Sequence, residues 1–182
     1  MLELNFTPFP ELSTERLLLR RLTLQDAPEI FSLRSDPAVL QFIGREPTAS
    51  IKEAEDFITR IDNNIQANES ILWAMVLKSV PSTTIGTICL WNIQKENYRS
   101  EIGYALLPSH WRKGLMKEAI LKVVEYGFSI GLHSIEARLN AANIASAAIL
   151  ESTGFVKEAY FRDEFFFRGK FSDTLVYSKL NG

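Results

Sequence analysis

The chain has 182 residues, 46% of them hydrophobic and 23% charged, a balance that suits one compact domain and excludes a disordered, collagenous or coiled-coil protein. Twenty Lys and Arg stand against 22 Asp and Glu, a formal charge of -2, so no global field gathers nucleic acid or an anionic membrane and any anion site must be local. One cysteine, Cys89, rules out an intramolecular disulfide framework, and two histidines, His110 and His133, leave no basis for a structural zinc site. No apolar run approaches the ~20 residues of a membrane span, and the first residues lack a basic stretch followed by an apolar one. A reduced, cytoplasmic protein is the expectation.

In chain order, RLLLRRL at 16 to 22 predicts a first strand. Asp26 with Glu29 has the spacing of a capping box for a helix ending before Pro37. Ser50 with Glu53 repeats that signature, and Ile51, Ala54, Phe57, Ile58, Ile61 and Ile65 then recur at helical spacing, giving a second helix one buried face. The period changes in the middle: 71 to 78, 84 to 93 and 100 to 107 predict three strands of an antiparallel meander, separated by VPST and NIQKENYRS. Ile85, Cys89 and Trp91 on one face and Ile88 and Leu90 on the other require helices on both sides of the sheet.

From 113 to 129, Met116, Ile120 and Val124 with Ala119, Val123 and Gly127 form a helical stripe, and SIEARL at 134 to 139 is the next strand. A strand, a helix and a strand in this succession make a crossover unit with parallel strands. A short helix at 144 to 152 is stopped by Gly154, followed by a strand from Phe155 and a last one ending at Leu180. The sum is an α/β chain with a mixed, mostly antiparallel sheet of about seven strands. With no linker, repeat or low-complexity tract, 1 to 182 reads as a single domain.

The segment LLPSHWRKGLMKEA carries the most chemistry. Acidic residues normally collect where a helix opens, because the exposed N–H groups are partially positive. Here Arg112, Lys113 and Lys117 occupy the start, no acid falls between Pro108 and Lys117, and Gly114 permits close approach to the backbone. An external anion such as a phosphate would complete the arrangement; a basic solvent face beside a tight turn is the plainer reading, and residue types alone leave both open. GxxxxGK[ST] and GxGxxG are absent, so phosphoryl transfer on a P-loop and dinucleotide binding have no support.

WRKGLM at 111 to 116 resembles the Gln/Arg-x-x-Gly-x-Gly/Ala signature of the GNAT superfamily of N-acetyltransferases, with Trp111 in place of Gln/Arg and Met116 in place of the small residue. EIGYALLPSHWRKGLMKEA and NAANIASAAILESTGF stand in the order and separation of the branch resembling ribosomal-protein N-terminal alanine and serine acetyltransferases. RLLLRRLTLQDAPEIF and KFSDTLVYSKL extend the likeness from about residue 13 to 180. The resemblance implies the GNAT fold, with a splayed strand pair holding acetyl-coenzyme A, and a loop at Arg112, Lys113, Gly114, Leu115, Met116 and Lys117 whose backbone N–H groups take the pyrophosphate. It places the pantetheine arm along the fourth strand at Leu106, beside Ala105 and Leu107, and aligns Asn143 and Ser146 with an Asn-x-x-Ser that approaches the sulfur end. Leu150 stands where many members carry a tyrosine acid, which favours Ser146, water or direct thiolate release.

A thioester is an activated acyl donor, so transfer to an amine needs no metal; positioning and proton removal carry the reaction. Glu101 is the first candidate for general base, with Glu136 and Tyr160 behind it. Phe42, Trp91, Asp173 and Tyr177 are expected near the acceptor. Cys89, mid-strand between apolar residues, reads as an inert thiol rather than an acyl-enzyme nucleophile. The implied function is acetyl transfer from acetyl-coenzyme A to the N-terminal α-amine of a ribosomal protein by direct attack in a ternary complex. A small-molecule amine (polyamine, aminoglycoside, amino acid derivative) stays open as acceptor, as does a non-catalytic coenzyme A-binding sensor or assembly factor. No direct nucleic-acid or membrane partner is expected, and monomer and homodimer are both open.

Overall fold

The computed structural model describes residues 1–182. Its sheet has eight strands: β1 (Leu12–Ser13), β2 (Leu17–Arg21), β3 (Ile71–Leu77), β4 (Val80–Gln94), β5 (Arg99–Leu106), β6 (Ser134–Asn140), β7 (Val156–Phe167) and β8 (Lys170–Leu180). They lie in the order β1-β2-β3-β4-β5-β6-β8-β7. The strand beyond the expected seven is β1, two residues that turn back onto β2. Only β5 and β6 run parallel, and the helix between them, α4 (Leu115–Ser129), makes the anticipated crossover.

On one face lie α1 (Ala27–Ser35), the single turn α2 (Pro37–Leu40) and α3 (Ile51–Gln66), packed through Leu22, Ala27, Ile30, Ala54 and Ile58 against Leu72 and Ala74 of β3. The other face carries α4 and α5 (Ile144–Ser152) over Trp73, Met75, Ile88 and Leu90. Residues 72 and 74 thus look one way and 73 and 75 the other, the period-two alternation that demands cover on both sides. Gly127 lets α4 settle onto the sheet, since a Cβ there would stand 2.8 Å from Ile135 Cδ1 and 3.3 Å from Leu90 Cδ1.

Two local expectations change. The β3–β4 turn is Lys78–Ser79, and VPST belongs to β4, where register shifts after Met75 and Val76 absorb the extra residues. The first capping box also sits three residues upstream, at Thr23 with Asp26. Asp26 accepts from Thr23 N at 2.8 Å and from Arg20 Nη2 at 2.7 Å, and Thr84 Oγ1 donates to it at 2.7 Å. A buried carboxylate with a guanidinium within reach turns inward, and Glu29 takes no part. At α3 the signature works as read: Ser50 Oγ accepts from Glu53 N at 3.2 Å, and Glu53 Oε2 accepts from Ala49 N at 2.8 Å.

The feature that positions a site is the junction of β5 and β6. They pair at only three positions, Arg99 with Ser134, Ser100 with Ile135 and Glu101 with Glu136. Beyond Glu101, β5 stays with β4 as far as Leu106 opposite Gly86, while β6 stays with β8 as far as Asn140 opposite Thr174. Each strand follows its own antiparallel neighbour, so the sheet opens into a V.

Candidate active site

A cleft of about 1310 Å³ fills this opening and runs from the start of α4 to the helices on the opposite face. At its α4 end the chain leaves β5 at Leu106, makes a tight turn at Pro108–His110, and enters α4 through Arg112 and Gly114, both left-handed with φ of 58° and 76°. No backbone carbonyl accepts from the N–H groups of residues 112–117. These donors gather at the positive end of a 15-residue helix, an arrangement that suits a phosphate.

Two contacts hold the loop open for a ligand. Trp111 Nε1 donates to Leu106 O at 2.6 Å, tying the loop to the end of β5. Arg16 reaches across from the edge of β2, donating from Nη1 to Lys113 O and from Nε to Glu118 Oε2, both at 2.8 Å. Glu118, the one acid in the first turn of α4, also accepts from Arg16 N and Thr14 Oγ1. Burial raises its pKa, but these donors outweigh burial and lower it. The carboxylate is therefore drawn away from the free N–H groups. Arg112, Lys113 and Lys117 are exposed, while Leu115 and Met116 are buried in the core, so the last two face a ligand through backbone alone.

Where β5 and β6 part, Glu101 lines the cleft at 8% exposure. Burial raises its pKa, against the opposing pull of the Asn92 amide, Arg138 and Arg99. Further along, Tyr104 OH and Ser146 Oγ lie 2.6 Å apart across the V, and Asn143 Oδ1 accepts from Ser146 N at 3.1 Å as the N-cap of α5. Burial pushes the Tyr104 phenol up to about 12, the Ser146 contact opposing it. A carboxylate disposed to take a proton and a hydroxyl pair that stays protonated near neutral pH, able to donate hydrogen bonds, thus flank a single cleft.

A family model described as an acetyltransferase (GNAT) domain matches residues 16–156. The chain belongs to the GNAT family. It is 39% identical over 171 residues to the uncharacterized N-acetyltransferase YoaA of Bacillus subtilis (strain 168), covering 93% of this chain and 96% of the relative. The fold is that of the ribosomal L7/L12 α-N-protein acetyltransferase RimL in complex with coenzyme A, with a TM-score of 0.85, 18% identity, and 94% and 98% of the two chains covered. Spermidine N-acetyltransferase from Vibrio cholerae, solved with coenzyme A and spermine, superposes with a TM-score of 0.80 at 25% identity over 90% and 95% of the chains. The protein is an acetyl-coenzyme A-dependent N-acetyltransferase. The free N–H groups at 112–117 and the unpaired stretch of β5 fit the phosphates and the extended arm of that cosubstrate.

Not every residue singled out from the sequence reaches the cleft of this GNAT enzyme. Phe42 and Trp91 do, at the junction with a second hollow of about 1090 Å³ between the α2–α3 segment and the β7–β8 hairpin. Asp173 does not: it accepts from Tyr160 OH and from Asp163 N at 2.9 Å, holding an irregularity of β7 against β8. Tyr160 is spent on the same contact. Glu136 is paired with Arg99 and with Arg138 at 3.8 Å and lies outside the cleft lining. Tyr177 is 2% exposed and donates to Glu151 Oε1 at 2.9 Å. Cys89 lines the cleft, yet burial pushes its thiol up to about 12, which keeps it protonated and unreactive near neutral pH. Leu150 is fully buried in the core. The sequence reading missed Tyr104, Arg16 and Glu118. Tyr104 sits on a strand whose facing direction depends on register, and Arg16 lies 102 residues from Glu118, so neither leaves a local signal.

Proposed function

We propose that this N-acetyltransferase acts on the N-terminal α-amine of a protein, a ribosomal protein by the likeness of its branch, through direct attack in a ternary complex. The observation that carries the reading is the buried carboxylate of Glu101 at the parting of β5 and β6, with the cleft open on either side of it. An α-amine with a pKa near ~7.7 to 8 asks only a weak base to make it neutral, whereas a polyamine or lysine nitrogen near ~10.4 asks far more. Glu101 takes the amine proton, directly or through one water, as nitrogen attacks the acetyl carbonyl carbon. The carbon–sulfur bond then breaks, and the Tyr104–Ser146 hydroxyl pair delivers a proton to the leaving thiolate. Cosubstrate binding supplies an acyl group already activated as a thioester.

The second hollow supports a chain end as acceptor, because a peptide can enter there while its body stays outside. Arg45, Arg138, Arg168 and Lys170 line it; Glu164, the one acid of its lining, is paired with Arg138 and the adjoining Glu46 with Arg168, which leaves Arg45 and Lys170 without a carboxylate partner. A polycation is repelled by such a wall. The similarity to the spermidine acetyltransferase favours a small-amine acceptor as the second reading. A thiol-release assay with N-terminal peptides, polyamines and aminoglycosides separates them. Turnover highest on peptides is expected; turnover highest on spermidine would overturn the reading in favour of a small amine, and acetyl-coenzyme A binding without release on any acceptor would favour a sensor.

A further inference from the structure

Acetyl transfer alone leaves one group of side chains in the cleft unused. Arg34 of α1, Arg45 of the α2–α3 connection and Arg60 of α3 all contribute to its wall on the face opposite α4. The Arg34 guanidinium carbon lies 3.8 Å from the Phe57 ring centroid, and that of Arg60 lies 5.5 Å from the same ring. Nε of Arg34 and both Nε and Nη1 of Arg45 are buried without a hydrogen-bond partner. Burial first, and then the like charges of Arg45 and Arg60, bring Arg34 down to about 10, while burial lowers Arg45; no carboxylate opposes either shift. Glu69, on the same wall, is exposed and relieves neither.

This departs from how the chain treats its other half-buried arginines, Arg20, Arg21 and Arg99, each of which has a carboxylate partner, whereas Arg60, Arg112 and Arg162, which have none, are exposed. Arg16 is paired with Glu118, Arg20 with Asp26, Arg21 with Asp62, and Arg138 with Glu136 and Glu164. Guanidinium N–H groups buried with no acceptor, beside further positive charge, destabilise a fold. Such a cost is kept where a ligand supplies the acceptor. Contact with Phe57 holds the Arg34 guanidinium in place, and no carbonyl or carboxylate of the chain accepts from it, which leaves it for an oxyanion. Arg45 lines both the cleft and the outer hollow, at the boundary an entering acceptor must cross.

We infer that Arg34 and Arg45 form a seat for a carboxylate carried by the acceptor, an acidic side chain at one of the first residues of the peptide whose α-amine is acetylated. The inference rests on the N-terminal-amine reading above and narrows it to peptides that carry Asp or Glu close to the acetylated end. The phosphates of coenzyme A are matched by the free N–H groups at 112–117, on the face of the sheet that carries α4. The Arg34–Arg45 seat lies across the sheet from them.

The test is thiol-release kinetics on matched peptides with Glu, Gln or Lys at the second and third positions, using the wild-type enzyme, Arg34→Gln, Arg45→Gln, Arg45→Glu and the charge-retaining Arg34→Lys. A charge-assisted hydrogen bond predicts a KM for the Glu peptide about ten- to a hundredfold below that for the Gln peptide. In Arg45→Gln that ratio falls towards one, and Arg45→Glu favours the Lys peptide. Melting midpoints that hold or rise in the Gln variants identify a binding role, since an unpaired buried charge has been removed; a fall of all variants with the peptide ratio intact would make the cluster structural and overturn the inference. Equal KM for Glu and Gln peptides in the wild type would also overturn it, as would a loss of acetyl-coenzyme A affinity in titration calorimetry with the peptide preference unmoved. If no peptide is acetylated, the peptide-acceptor reading fails separately, and free amino acids against their amides read the seat instead. Preference for the carboxylate form keeps an oxyanion seat, and preference for the amide removes it.

Discussion

Gly114→Asp separates folding from cosubstrate binding at the loop before α4. With φ at 76° the position is left-handed, which costs an L residue about 1 to 2 kcal/mol, Asp falling at the lower end. A Cβ there would stand 3.4 Å from Arg16 Nη2, an ordinary contact. A carboxylate at the start of a helix recovers about 0.3 to 1 kcal/mol from the helix dipole. The net change in folding stability is therefore within about 1 kcal/mol. The same carboxylate opposes a bound pyrophosphate. Two unit charges 4 Å apart interact by about 1 kcal/mol in water and about 4 kcal/mol at an effective dielectric of 20. Gly114 is exposed, so a value near 2 kcal/mol applies, which is about a thirtyfold loss of acetyl-coenzyme A affinity. Titration calorimetry reads the affinity and denaturant unfolding reads the stability, with Gly114→Ala as the control for backbone strain alone. The Asp–Ala difference narrows as salt rises, because exposed charges are screened. An Asp variant that binds as tightly as the Ala variant would refute the loop as the phosphate site.

Glu101→Gln is expected to lower kcat by about a hundredfold or more while sparing acetyl-coenzyme A affinity. In the wild type the acid limb of the rate profile lies above the ordinary glutamate range, since burial raises this carboxyl; an unchanged limb in the Gln variant would remove Glu101 from proton transfer. Tyr104→Phe slows the step that follows attack, and a kcat equal to the wild type would leave thiolate departure to water. Cys89→Ala keeps its activity, and complete loss in a folded protein would reinstate an acyl-enzyme route. Asp26→Asn costs about 3 kcal/mol, the low end for breaking a buried pair because Arg20 keeps 19% of its side chain in solvent. Burial raises the Asp26 pKa, but Arg20, Thr23 and Thr84 outweigh it and hold the carboxyl at about 2 against an ordinary 3.8. Its contribution is complete above the ordinary value and disappears as pH falls through about 2. Acid unfolding of the wild type should carry this slope and that of the Asn variant should lack it; identical slopes would refute the assignment.

Local pattern carried a great deal of this protein. The 3.6-residue stripe of α4, the two-faced apolar strands that demand helices above and below, and the basic acid-free entry to α4 all follow from residues within about twenty positions of one another, and the crossover that makes β5 and β6 parallel from about forty. The resemblance to the GNAT superfamily, not local pattern, pointed to Asn143 and Ser146, which line one cleft with Glu101, Phe42 and Trp91. What the pattern could not rank were side chains of the same type. Glu101 and Glu136 are directly opposed in the ladder, yet one faces the cleft and the other is held by Arg99 and Arg138. Asp173 had the chemistry for an acceptor site, but the bulge in β7 turned Asp163 N and Tyr160 towards it.

The amino-acid sequence by itself determined the longer elements, their succession and the anion-ready loop, though not β1 or α2, because periodicity and helix-end chemistry are properties of short stretches. The resemblance implied a splayed strand pair, but only the tertiary structure decided where β5 and β6 part, the Tyr104–Ser146 pair, the Arg16–Glu118 brace and the unpaired Arg34–Arg45 wall. Each of these depends on which strand keeps which neighbour and on contacts between residues far apart in the chain, where a one-residue change of register would point the side chain to the other face.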